Sequence, residues 1–269
     1  MGIGETVADV PGLLRPEDEE KLYELAAETG GPILEIGTYR GRSTTIMALG
    51  ARSGAGALLV SVDVDPAAQR AASAALVSHG VGERVLLIRG SSAAALRRLR
   101  GLRPALTFVD GDHSAAGVRR DLEVLERVVP HDGLLLFHDF ADPRNADPSV
   151  PEIGVHDAIR ASWVERDCEF LGEHGACGLY RRTRGGPPNP SVPVVDARGL
   201  ESPRMQYLQR LRLRHVGHRV ERLVVGLEDQ DVRTRMGSGG QREQEGQGEG
   251  EPGAHMRVNT HERQTMRSG

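Results

Sequence analysis

The chain has 269 residues, of which 38% are hydrophobic and 27% charged, and its 34 basic and 38 acidic side chains leave a net charge of −4. That balance argues against a generally basic nucleic-acid-binding surface, and no apolar run approaches the ~20 residues needed to cross a bilayer. Met1–Val10 lacks the basic start and apolar stretch of a secretory signal, and two cysteines, Cys168 and Cys177, are too few for a disulfide framework or a four-thiolate zinc site. A soluble cytoplasmic protein is expected, with no nucleic-acid and no membrane partner.

Near the start, Pro16 followed by Glu17, Asp18, Glu19 and Glu20 puts proline and acids into a first helical turn, and Gly30-Gly31 stops that helix. From Pro32 to about Arg182, short apolar runs then alternate with helical patterns. The runs are 33–36, 57–62, 85–88, 105–109 and 133–137. Continuous rather than alternating apolar character suits strands buried on both faces. Between them, 43–51, 66–79, 91–100 and 114–129 are long enough for helices. In the last of these Val118, Leu122, Leu125 and Val129 form one apolar stripe. Such alternation predicts an α/β fold, a doubly wound parallel sheet covered on both sides. A helix over 153–164 and two strands, 168–172 and 178–182, follow. Glu173-His174-Gly175 joins the strands as a hairpin that closes the sheet antiparallel.

Gly185-Gly186-Pro187-Pro188-Asn189-Pro190 is a linker by content. The division expected is a folded domain over 1–184, a linker with a basic amphipathic helix over 185–236, and a disordered Gly/Gln/Glu-rich tail over 237–269. Leu213, Val216, Val220, Leu223, Val224 and Leu227 carry the helical spacing. That helix reads as a solvated or self-associating face, which leaves a homo-oligomer open, or as a basic surface for an acidic partner.

Ile33–Gly41 joins the first strand to its helix with the spacing Glu35-x-Gly37-x-x-x-Gly41. Gly37 permits a sharp turn with close ligand approach, and Gly41 allows tight packing where the helix begins. A pyrophosphate cradle wants three glycines, and an acid ahead of the turn repels phosphate. The turn alone is also compatible with an ordinary tight connection. Asp63 ends the second strand, where a carboxylate can accept both ribose hydroxyls of a nucleoside. Arg89-Gly90-Ser91-Ser92 follows the third strand, and Asp110-Gly111-Asp112-His113-Ser114 the fourth. All four segments fall at carboxyl ends of parallel strands, where such sheets bind ligands.

These residues, with Gly133-Leu134-Leu135-Leu136-Phe137-His138-Asp139, resemble class I S-adenosylmethionine-dependent methyltransferases. The likeness is strongest to the small-molecule O-methyltransferase branch that includes macrocin-type sugar enzymes, with a more distant similarity to catechol O-methyltransferases. It spans roughly residues 10–183. The resemblance implies a Rossmann-like seven-stranded sheet with its last strand antiparallel, S-adenosylmethionine as cofactor, and a small-molecule hydroxyl as methyl acceptor, a sugar or natural product. It implies that Glu35, Gly37, Thr38, Tyr39, Gly41 and Ser43 surround the methionine end, Asp63 the ribose and Ser92 the adenine, with Asp110 also near the cofactor.

Asp110, Asp112, His113, His138 and Asp139 gather at the ends of the fourth and fifth strands. Oxygen ligands from two loops suit Mg²⁺. By position in the resembling group, Asp110 and Asp139 match metal ligands, with His138 standing where another acid or amide is usual. Histidine suits Mn²⁺ or Zn²⁺ better, and the pair can equally bind cofactor or substrate by hydrogen bonds alone. Catechol-type relatives carry a lysine near the offset of His113. An imidazole there can take a hydroxyl proton at neutral pH or merely order its loop. The rival functions are a nicotinamide-dependent oxidoreductase, disfavoured by the missing third glycine, and a nucleoside-binding protein without catalysis.

Overall fold

The computed structural model describes residues 2–99, 101–147, 149–188 and the strand Val224–Gly226, all within the compact unit Met1–Asp229. Five strands lie parallel: β1 (Ile33–Ile36), β2 (Leu59–Asp63), β3 (Val85–Arg89), β4 (Leu106–Val109) and β5 (Leu134–Phe137). Two more, β6 (Cys168–His174) and β7 (Cys177–Arg182), form the hairpin, and β7 runs antiparallel to β5. An eighth short strand, β8 (Val224–Gly226), pairs parallel with β3, giving the order β6-β7-β5-β4-β1-β2-β3-β8. The fold is thus α/β and Rossmann-like, with the antiparallel β7 beside β5.

The apolar runs are buried on both faces because each strand sends alternate side chains into two separate cores. Leu34, Ile36, Val60, Val62, Leu135 and Phe137 point to one face. There they meet α5 (Ser92–Arg98), α6 (Ala115–Leu125), α7 (Val155–Arg160) and α8 (Trp163–Asp167). Ile33, Leu59, Leu87, Leu106, Phe108 and Leu136 point to the other. That core is completed by α2 (Pro16–Glu28), α3 (Arg42–Ser53) and α4 (Pro66–Ser78), together with Val7 and Val10 beside the short α1 (Ile3–Thr6). Each fully buried Leu or Ile contributes roughly 1.5–3 kcal/mol.

Caps place the helix starts at the strand ends. The Asp65 side chain accepts from Ala67 N with Pro66 in the first turn of α4, Ser91 accepts from Ala94 N, and Ser114 accepts from Gly117 N. The predicted helix over 153–164 is instead two helices, α7 and α8. Between them the Ser162 hydroxyl donates to Ile159 O and accepts from Val164 N, replacing backbone bonds.

A larger departure concerns residues 224–226. Helical spacing through Val224 predicts a helix, yet these residues are extended and pair with Leu87–Arg89. The open edge of β3 offers unpaired backbone groups, and two adjacent β-branched residues suit an added strand. The other residues of that expected helix, like the tail over 237–269, lie outside the described residues. No helix among the described residues is long and apolar enough to cross a membrane.

Candidate active site

Parallel pairing brings the carboxyl ends of β5, β4, β1, β2 and β3 to one rim, and backbone bonds continue the ladder past the strands. Gly37 N donates to Val62 O, Asp110 N to Ile36 O, Gly90 N to Asp63 O and His138 N to Val109 O. The turn after β1, the acid after β2 and the two loops after β4 and β5 therefore stand side by side. At Gly37 (φ 94°) a Cβ would collide with the carbonyl oxygen of Asp110. Gly41 (φ 88°) starts α3 with the backbone of α4 against it. Tyr39, at φ 45° and 56% exposed, completes the left-handed bend.

Asp63 clamps this turn. Its Oδ2 accepts from Thr38 N at 2.8 Å and Tyr39 N at 2.9 Å, while Oδ1 accepts from Asp65 N at 2.8 Å. The carboxylate thus faces the turn: both lone pairs of Oδ2 are taken by the turn amides, and Oδ1 keeps one for a ligand hydroxyl. Glu35 lies below, fully buried, accepting from Ser43 Oγ at 2.5 Å, Thr44 Oγ1 at 2.6 Å and Ser61 Oγ at 2.5 Å. Burial outweighs these three bonds and pushes its pKa up to about 7. Ser43 is buried with it, so both residues support the turn from beneath, out of reach of solvent. Thr38 Oγ1 also lies within hydrogen-bond distance of Ser61 Oγ, and Gln69 Nε2 donates to Thr38 Oγ1 and to Ile88 O. Sequence reasoning passed over Ser61, Thr44 and Gln69; polar residues inside apolar runs were the available signal. Ser92 is also buried, donating to Asp121 Oδ1 at 2.5 Å, and burial raises the Asp121 pKa.

Next to this turn, four groups converge from β4 and β5. His113 Nδ1 lies 2.6 Å from Asp139 Oδ2, and its Nε2 lies 3.6 Å from Asp110 Oδ1. His138 Nδ1 lies 2.9 Å from Asp110 Oδ1 and 3.4 Å from Asp139 Oδ1. Both His138 nitrogens are buried, and among the described residues neither has a partner in hydrogen-bond geometry, the Asp110 contact included. Burial opposes charge on His138, but the carboxylates of Asp110, Asp139 and Asp18 override it and hold its pKa up at about 9. The Asp139 carboxylate raises the His113 pKa against burial. Burial works against charge on Asp139 too, yet His113 and His138 bring its pKa below the usual carboxylate value.

Asp139 itself sits at φ 54°, a conformation that the loop enforces. Asn145, which sequence reasoning passed over, donates to the carbonyls of Asp139, Phe140 and Asp142 and accepts from His156 N. Asp112 points elsewhere: it accepts from Ser114 and pairs with Arg120 at 2.7 Å, bracing the start of α6. Asp110, His113 and His138 can offer ligand atoms within 4.8 Å of one another. Two imidazoles among carboxylates fit a borderline cation such as Mn²⁺ better than Mg²⁺.

Residues 34–140 match the family model of a methyltransferase domain. Among solved structures, the O-methyltransferase from Bacillus cereus in complex with SAH aligns with a TM-score of 0.54 at 15% identity, over 68% of this chain and 89% of that one. The O-methyltransferase TomG from Streptomyces achromogenes, involved in tomaymycin synthesis and solved with SAM, gives 0.54 at 18% identity, over 68% and 87%. The SAH-bound Podospora anserina methyltransferase PaMTH1 gives 0.54 at 20% identity, over 68% and 86%. At these identities the likeness establishes a shared fold.

Proposed function

We propose that the chain is a class I S-adenosylmethionine-dependent methyltransferase and that the rim over β1, β2, β4 and β5 transfers a methyl group to a hydroxyl of a small molecule. The observation that carries this reading is the placement of the His113–Asp139 and His138–Asp110 pairs directly beside the Gly37–Gly41 turn. The turn formed by Gly37, Thr38, Tyr39 and Gly41, supported by Glu35 and Ser43, takes the methionine end of S-adenosylmethionine. Asp63 takes the ribose, Ser92 stands on the adenine side with its hydroxyl turned inward to Asp121, and Asp110 faces the cofactor from β4.

The sulfonium is already activated, so the protein's work is alignment and proton removal. The acceptor oxygen attacks the methyl carbon, the carbon–sulfur bond breaks, and S-adenosylhomocysteine leaves. The hydroxyl proton passes to Nε2 of neutral His113, while Asp139 orients the ring through Nδ1 and stabilises the imidazolium that forms. Asp110, Asp139 and His138 would hold a divalent cation, which supplies a lowered pKa to a coordinated hydroxyl. The acceptor is a sugar or natural product, and the protein works in the cytoplasm as a monomer or homo-oligomer, without nucleic acid or membrane.

Calorimetric titration with S-adenosylhomocysteine and with NAD, followed by methyl transfer from S-adenosylmethionine to a panel of hydroxylated sugars and polyketides, tests this. Binding of S-adenosylhomocysteine but not NAD, with a methyl ether formed, is expected. NAD binding, or no product from any acceptor by a protein that holds the nucleoside, defeats it. The cation is tested separately: EDTA should abolish turnover and Mn²⁺ or Mg²⁺ restore it, and full activity in a metal-free preparation removes the ion.

A further inference from the structure

We propose that Asp18, in the first turn of α2, is a positioning residue that sets the orientation of the His138 ring; this rests on the functional reading above, in which His138 belongs to the reacting cluster. Asp18 lies before the segment that matches the methyltransferase family. Its side chain is fully buried. Oδ2 accepts from Arg15 N at 2.8 Å, which caps α2, and Oδ1 accepts from Ala176 N at 2.7 Å in the turn of the β6–β7 hairpin. The Cys177 thiol also meets this carboxylate, and His138 approaches it from β5, with Nε2 4.0 Å from Oδ2. Among the described residues no lysine or arginine pairs with Asp18.

A helix start can be capped by a neutral serine or asparagine. A buried carboxylate is expensive unless donors face both its oxygens, and His138 Nε2 is the ring nitrogen turned toward Oδ2. The ring, for its part, has Asp110 and Asp139 beside Nδ1 and only Asp18 beside Nε2. Both nitrogens are buried without a hydrogen bond, and its aromatic neighbours, Phe108 at 6.3 Å and His113 at 6.0 Å, meet it edge to face. Those contacts tolerate a half-turn about the Cβ–Cγ bond. That turn would put ring carbons where Nδ1 faces Asp110 and Nε2 faces Asp18. Acceptors on both sides select one orientation: Asp110 faces Nδ1 from β4, and Asp18 faces Nε2 from α2. Asp139 also faces Nδ1. Asp18 is therefore the carboxylate paired with the far nitrogen, and it ties the reacting cluster to a helix and a hairpin that carry no reacting group.

The experiment compares wild type with Asp18→Asn, which keeps the volume and removes the charge. Crystal structures are expected to show the His138 ring turned away from its wild-type position. Kinetics should show kcat down roughly 10- to 100-fold, the usual penalty for losing an orienting partner, with KM and S-adenosylhomocysteine affinity within about twofold. Gly175→Ala is the second variant. At φ 62°, its Cβ would run into Asp18 Oδ1 and displace the carboxylate without altering its charge. Gly80→Ala, at φ 64° with open space around it, controls for backbone strain. If Asp18→Asn does not fold, Gly175→Ala must show the turned ring and the kcat loss by itself. An unmoved ring or unchanged kcat in either folded variant overturns the proposal and leaves Asp18 as a clamp for α2 and the hairpin. Failure of the functional reading looks different: wild type binds S-adenosylhomocysteine yet methylates nothing, while the ring comparison still decides what Asp18 does.

Discussion

The two halves of the rim are built by opposite means. On the cofactor side, around β1 and β2, two carboxylates accept six hydrogen bonds between them: three hydroxyls on Glu35, three backbone amides on Asp63. Every partner is neutral and each bond is short. On the acid–histidine side, around β4 and β5, the groups meet as ion pairs, and His138 is buried with neither nitrogen hydrogen-bonded. A saturated network of neutral donors resists rearrangement, which suits a site that must hold its shape for one ligand. Groups with unused bonding capacity and shifted proton affinity are suited to exchanging protons and partners. On the function proposed above, the difference separates a binding half from a reacting half.

Substitutions on each half should break that contrast in distinct observables. The largest effect is expected on the reacting side, where His113→Ala should lower kcat by ~10²–10⁴ with little change in nucleoside affinity, measured by steady-state kinetics and calorimetry. In wild type the proton-accepting form of His113 is the neutral one, and Asp139 raises its pKa. Activity should therefore climb with pH along an acid limb centred above the ordinary histidine value of 6.5. In Asp139→Asn that limb should move down, and kcat should fall far more than cofactor affinity.

On the binding side the first casualty should be the fold. Gly37→Ala forces a side chain into the Asp110 carbonyl at positive φ. A loss of about 3 kcal/mol or more of stability is expected in denaturant melts, and S-adenosylhomocysteine binding should go with it. Asp63→Ala should weaken S-adenosylhomocysteine by ~1.5–3 kcal/mol, the range for hydrogen bonds to a charged group. Unchanged affinity in a folded variant would move the ribose contact elsewhere.

Glu35→Gln sharpens the comparison through pH. The Glu35 pKa is raised from 4.5 to about 7 in the folded protein. Its contribution to stability is therefore full below pH 4.5 and is lost as pH rises through 7. The variant, which cannot ionise, should gain on wild type across that window by something on the order of 3 kcal/mol or less. Parallel stability curves for the two proteins from pH 5 to 8 would show that Glu35 ionises in the folded protein as readily as in the unfolded chain. The smallest effect is expected from truncation after Arg184. Every proposed site residue precedes that point, so nucleoside binding should persist, but loss of β8 uncovers the edge of β3. A modest loss of stability or solubility should accompany it.

The amino-acid sequence by itself determined the βα alternation, the buried parallel strands and the rim on which the site lies. Apolar runs of four or five residues, capping residues at strand ends and the two turn glycines act locally, so they can be read from neighbours in the chain. Helical spacing misjudged Val224–Gly226 for the complementary reason. Whether Val224–Gly226 extends or coils depended on the open edge of β3, a partner more than a hundred residues away. Side-chain roles inside the rim were decided by tertiary structure alone. Glu35 and Ser92 belong to sequence motifs at the rim, but burial turned both inward, to Ser43, Thr44 and Ser61 in one case and Asp121 in the other. His113 and Asp139, 26 positions apart, became a pair only because β4 and β5 lie side by side. Asp18 had no signal beyond an acidic helix start, since His138, the ring it faces, is 120 residues further along the chain. Hydrophobic period and turn chemistry are short-range properties. Electrostatic pairing and burial depend on which distant segments the packed fold brings together.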